Sequence, residues 1–215
     1  MPNRGSGGNS ARGNRGRSAT ELNRGAAIRR REERISFLIL CEGKTEKSYF
    51  TGMRSRNGPQ LDVDWPDVDH VAIVREAVQR AADADRCGAP YSEVWCVLDT
   101  ELDEALVQSI LAAADSDVRI ALSCPSFETW LLLHKIDHRR PFQSADEAKR
   151  KLREVHPGWA EGRTQFTDFA PGLHHAVDRA RRLDSSGTAH LTNPSSSVWK
   201  LVEAIQQAHR DIAFT

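Results

Sequence analysis

The sequence predicts an α/β domain built on a mainly parallel sheet flanked by helices, with a helical C-terminal portion and a disordered N-terminal tail. Three observations carry this reading. Apolar runs of strand length recur at residues 35–40, 94–98 and 118–122, and near-continuous apolar runs fit strands covered on both faces. Segments with apolar residues at helical spacing lie between them, the alternation expected of parallel strands joined by crossovers. Each run also ends in polar or acidic residues.

Residues 1–27 are rich in Gly, Arg, Asn and Ser and nearly lack large apolar side chains. Such a chain cannot bury enough surface to offset its ordering entropy, so residues 1–34 read as a disordered Arg/Gly-rich basic tail ahead of a domain at 35–215. The net charge of the whole chain is zero, but residues 1–34 hold nine arginines against three glutamates. A surplus of six positive charges therefore faces a deficit of six over the remainder. A string of guanidiniums suits phosphate contacts, and it equally suits a solvated tail.

The first strand is Ile35-Ser36-Phe37-Leu38-Ile39-Leu40, stopped by Gly43. Residues 45–55 follow as a helix ending near Asn57-Gly58-Pro59. Leu61, Val63 and Trp65 alternate with Asp62 and Asp64, the pattern of a half-exposed edge strand. Val71, Val74, Val78 and Ala81 repeat at helical spacing. The second core strand, Val94-Trp95-Cys96-Val97-Leu98, ends at Asp99, and a helix over 102–114 leads to the third, Val118 to Leu122. A helix over 127–134 is followed by others near 144–155, 171–183 and 195–210.

At 215 residues and 39% hydrophobic content the chain suffices for one domain with a tail. Cys41, Cys87, Cys96 and Cys124 are scattered without a C-x-x-C pair, which argues against a structural zinc site and fits a reducing, cytoplasmic compartment. No apolar run approaches a membrane span, and the arginine-bearing N-terminus lacks the apolar core of a secretory signal.

Ligands of open parallel sheets bind beyond the carboxyl ends of the strands. There the first strand offers Glu42, with Glu46 one helical turn on; the second offers Asp99 and Glu101; the third leads through Pro125-Ser126-Phe127 to Glu128. Converging carboxylates repel unless a cation neutralises them, and Mg²⁺ or Mn²⁺ suits such a site. An ion held there polarises a phosphoryl oxygen and supplies a nucleophile for phosphodiester cleavage. Helix-end acids have a simpler role, since each stabilises the dipole by about 0.3–1 kcal/mol. From spacing alone that role is preferred for Glu46, Asp103 and Glu104, and Glu128 is balanced between the two. Glu42 and Asp99, directly behind apolar strands, are the strongest site residues.

Other patterns fall short. Gly43-Lys44-Thr45 resembles the end of a phosphate loop, but position 38 is Leu where that motif needs Gly. Lys44 is thus an exposed helix-start residue first and a phosphate contact second. His134 and His138 share H-x-x-x-H spacing, yet position 135 is Lys and Pro141 lies close behind, so they read as surface histidines rather than a zinc pair. Cys41 and Cys124 read as buried structural residues. No G-x-S-x-G elbow is present.

Four ordered blocks resemble the RloB family: Cys41-Glu42-Gly43-Lys44-Thr45-Glu46-Lys47-Ser48-Tyr49-Phe50, Val94 to Asp99, Ser123-Cys124-Pro125-Ser126-Phe127-Glu128-Thr129-Trp130, and Asn193-Pro194-Ser195-Ser196 with Val198, Leu201 and Val202. Members of this family occur beside restriction–modification and abortive-infection genes, often next to an ATPase partner, and their core is thought to be Toprim-like. The resemblance implies that Glu42 matches the Toprim glutamate and Asp99 with Glu101 its D-x-D element. It likewise makes Glu46 the second acid of the first motif and Glu128 the acid of the F-E-x-W block. The chain departs from the pattern with Glu at 101 and Ser at 126.

The expected function is Mg²⁺- or Mn²⁺-dependent cleavage of DNA or RNA in phage defence. Glu42, Glu46, Asp99 and Glu101 would be metal ligands, and Glu42 and Glu128 catalytic residues. Its rivals are a non-catalytic nucleic-acid-binding or sensing subunit working with an ATPase partner, a nucleotide phosphotransfer enzyme, and a purely structural partner. Oligomeric state is left open.

Overall fold

The computed structural model describes residues 35–213, so the expected disorder of 1–34 lies outside the described residues. Five strands form one sheet in the order β2-β1-β3-β4-β5: β1 (Ser36–Cys41), β2 (Gln60–Asp64), β3 (Glu93–Asp99), β4 (Val118–Cys124) and β5 (Ser195–Ser196). The first four are parallel, with Leu38 level with Val94 and Val94 level with Val118. Only β5 is antiparallel, pairing Ser196 with Ser123 and Ser195 with Cys124. The expected α/β architecture with a mainly parallel sheet is present.

The apolar runs become central strands because both of their faces are covered. Phe37, Ile39 and Cys41 face one side with Trp95, Val97 and Ala121. Leu38 and Leu40 face the other with Val94, Cys96, Leu98 and Leu122. Helices α2 (His70–Arg86) and α3 (Glu104–Ala113) cover this second face through Ile73, Val74, Ala77, Val107 and Ile110. The first face is covered by α1 (Lys44–Gly52) and by the helical C-terminal portion: α4 (Glu128–Lys135), α5 (Ala145–Val155), α6 (Phe166–Phe169), α7 (Leu173–Leu183) and α8 (Val198–Ala213). Full burial of each such Leu or Ile stabilises the fold by about 1.5–3 kcal/mol. Among the described residues no helix is long and apolar enough to cross a membrane.

Local differences from the sequence expectations have physical causes. The helix expected from Leu102 starts at Glu104, because Glu101 and Leu102 take left-handed φ angles of 48° and 60°. Asp103 then caps it, accepting from the Leu106 N–H at 3.1 Å. Ser195 and Ser196, expected in a helix, extend β4's edge instead, and the helix begins at Val198.

His134 is buried rather than at the surface. Its Nδ1 donates to the Phe169 carbonyl at 2.8 Å, which leaves Nε2 to accept from the Tyr49 hydroxyl at 3.1 Å. Burial holds this imidazole neutral, its pKa lowered to about 3. Helix α4 stops at Lys135, and His138 stacks on Phe142 instead of joining His134.

Candidate metal centre

Strand order reverses between β1 and β3. From β1 the chain crosses to β2 on one side, while β3 and β4 follow on the other. A sheet opens a crevice at such a switch point, beyond the carboxyl ends of its strands. Glu42 and Asp99 stand on either side of it. They are joined directly: the Glu42 N–H donates to Val97 O at 3.1 Å, and the Asp99 N–H donates to Glu42 Oε2 at 2.8 Å. The acid behind β1 is thus fixed by the backbone of β3.

Helix α1, the first residue of α4 and residues 149 and 161–162 close the crevice into a cleft of about 480 Å³ lined by Glu42, Glu46, Asp99 and Glu128 together with Lys44, Trp65, Lys149 and Glu161. Glu46 lies on the first turn of α1 and is only 6% exposed. Its Oε2 is buried without a hydrogen-bond partner. Gly43 makes room for it, since a Cβ there would sit 3.0 Å from that oxygen. Glu128, also buried, accepts from the Ser126 hydroxyl at 2.7 Å.

The electrostatics follow from four carboxyl groups in one partly dry space. Burial, followed by the charges of Glu128 and Glu42, pushes Glu46 up to about 8. Burial of the Asp99 carboxyl, then the charges of Glu42, Glu46 and Glu128, raises it well above the usual carboxylate range. Glu128 is raised as well, mainly by burial. A cation bound among Glu46, Asp99 and Glu128 would relieve this repulsion.

Glu101 stands apart from this cleft. The left-handed turn at Glu101 and Leu102 places it, exposed, beside Glu42 and His70, where one ligand atom from each lies within 4.8 Å of the others. His70 opens α2 and contacts Glu42 Oε2 at 2.9 Å. The Glu42 carboxylate raises its pKa against the opposing effect of burial. Glu42 therefore lines the cleft with Glu46, Asp99 and Glu128, whereas the group whose ligand atoms gather within 4.8 Å among the described residues is Glu42 with His70 and Glu101.

Sequence reasoning missed His70, Trp65, Lys149 and Glu161. The available signal for the first two was position, since both follow β2 at the same sheet edge as Glu42. Lys149 and Glu161, paired at 2.8 Å, come from the helical C-terminal portion and had no such signal. Cys41 and Cys124 are buried and Cys41 lies beneath the cleft, its thiol pushed well up by burial. Lys44 is exposed at the start of α1.

The donor set suits a hard cation. It consists of carboxylate oxygens, one of them orphaned, with no Cys or His among the residues that line the cleft. Comparison with known proteins adds one match: the model of the RloB-like protein family aligns with residues 37–205. Neither the curated proteins nor the solved structures that were searched gave a match. The aligned span begins in β1, ends in α8 and takes in every acid of the cleft, and the chain belongs to the RloB-like protein family.

Proposed function

We propose that the cleft binds Mg²⁺ or Mn²⁺ and cleaves phosphodiester bonds of DNA or RNA, on a Toprim-like core. The observation that carries the reading is the unpartnered Glu46 oxygen, buried among Glu42, Asp99 and Glu128 at the switch point. Glu42, Glu46 and Asp99 would hold the ion, and Glu101 with His70 offers an adjoining outer set. When bound, the ion supplies charge neutralisation, polarisation of the phosphoryl group and a more acidic water.

The chain's own residues do the rest. Asp99's N–H orients Glu42, which serves either as a ligand of the ion or as the general base that takes the nucleophile's proton. Ser126 fixes Glu128, whose raised pKa suits it to return a proton to the leaving oxygen. In the cell this cytoplasmic activity would serve defence against phage, alongside an ATPase partner.

The test is cleavage of single- and double-stranded DNA and RNA in Mg²⁺ or Mn²⁺. Glu42→Gln should lower the rate by about 10²–10⁴-fold; a rate untouched by that change sinks the assignment. The basic surplus in residues 1–34 favours a second reading, a subunit that binds nucleic acid without cutting it. Tight, metal-independent binding with no cleavage under any condition would select it.

A further inference from the structure

Resting on the nucleic-acid reading of the cleft, we infer that Trp65 is a stacking platform for an unpaired base beside the scissile phosphate, with Lys44 as that nucleotide's phosphate contact. Trp65 is half-buried on the wall of the acid-lined cleft. Trp65 continues the alternation of Leu61 and Val63, but β2 ends at Asp64, so its ring stands beyond the strand ladder. The mount beneath it is rigid. The Trp65 N–H donates to Asp64 Oδ1 at 2.8 Å, and Asp64 is clamped by Lys47 at 3.1 Å and Arg80 at 2.9 Å. Pro66 follows and restricts the backbone of Trp65 itself.

The Lys44 ammonium lies 4.9 Å from the centroid of the Trp65 ring. The neighbouring cations are engaged with carboxylates: Lys47 and Arg80 with Asp64, Lys149 with Glu161. Lys44 has no carboxylate partner among the described residues. A π face whose cation has no carboxylate partner suits an incoming nucleotide: the base takes the face and the ammonium pairs with the adjoining phosphate. In the interior of an intact duplex both faces of every base are already stacked. The substrate class is therefore single-stranded nucleic acid, or a loop or end that presents an unpaired nucleotide.

The experiment compares equilibrium binding of the full chain to oligothymidylate, oligouridylate and an abasic oligonucleotide of equal length. Ca²⁺ replaces Mg²⁺, and the probes are checked for integrity afterwards. The base-bearing strands should bind about five- to a hundred-fold more tightly than the abasic one, the range expected for one stacked base. Trp65→Leu should remove that difference and Trp65→Phe should keep most of it. Quenching of tryptophan fluorescence on binding should be present in the native chain and reduced in Trp65→Phe, which reads stacking even if Trp65→Leu does not fold.

A preference for thymidylate or uridylate assigns the source as DNA or RNA. Equal binding of abasic and base-bearing strands, or a preference and quenching that survive both substitutions, overturns the inference. Base-dependent binding lost in Trp65→Leu without any cleavage in Mg²⁺ or Mn²⁺ would support stacking while removing the catalytic proposal. Cleavage indifferent to Trp65 would do the reverse.

Discussion

A carboxylic acid held at about 8 inside the fold keeps a proton that the unfolded chain releases near 4.5. Stability linked to Glu46 is therefore fully present below pH 4.5 and is lost as pH rises through about 8. Without divalent cations the melting temperature should fall across that window. Glu46→Gln should flatten this part of the profile and raise the value at pH 8 by roughly 2–4 °C for each kcal/mol regained. The same substitution should weaken stabilisation by Mg²⁺; melting curves in chelator and in Mg²⁺ check both outcomes, and unchanged curves contradict them. Position along the chain made Glu42, Asp99 and Glu128 legible, because each sits directly behind a buried strand or its connecting loop. The depth of Glu46 was not legible. Its place in a first helical turn fits a dipole role equally well, and a side chain at Gly43 would crowd the inward-turned carboxylate at 3.0 Å. Glu101 fails to join Asp99 in the cleft because two successive left-handed residues redirect it.

At the scale of elements, periodicity located the four parallel strands and the main helices, but close packing decided details it could not express. His134 looked like a surface residue at a helix end, yet α7 and its preceding turn lie across it. Gly172 approaches so near that a Cβ there would collide with the His134 carbonyl oxygen. Its φ is an ordinary −94°, so the demand for glycine comes from this approach alone. Gly172→Ala should cost about 1–3 kcal/mol, the range for overpacking, as a shift in the urea midpoint. A change below a few tenths would mean that α4 and α7 separate freely. The two-residue β5 was illegible for another reason. Ser195 and Ser196 have no strand preference of their own and are held by β4, by the Ser123–Ser196 hydroxyl pair at 3.0 Å, and by Ser197 on Leu122.

Over the whole molecule, the strand order matters more than any single element. Local pattern cannot say that β1 lies between β2 and β3, and that order alone brings Glu42 beside Asp99. Charge separation also acts at this scale, with six net positive charges in residues 1–34 and six negative in the remainder. Deleting residues 1–34 should weaken nucleic-acid binding at low salt and flatten the dependence of log affinity on log salt. An unchanged slope would make that segment electrostatically idle. The link between β1 and β3 also bears on motion. Phe37 to Leu40 are at most 1% exposed and lie between paired strands on both sides, so their amides should exchange with deuterium only when the entire domain opens. Adding Mg²⁺ should slow exchange in the loops around Gly43, Thr100 and Phe127, with the strand amides gaining only what the global opening free energy gains. Glu42 and Asp99 are thus anchored to the strands expected to open last, and the spacing of these two should persist for as long as the protein stays folded.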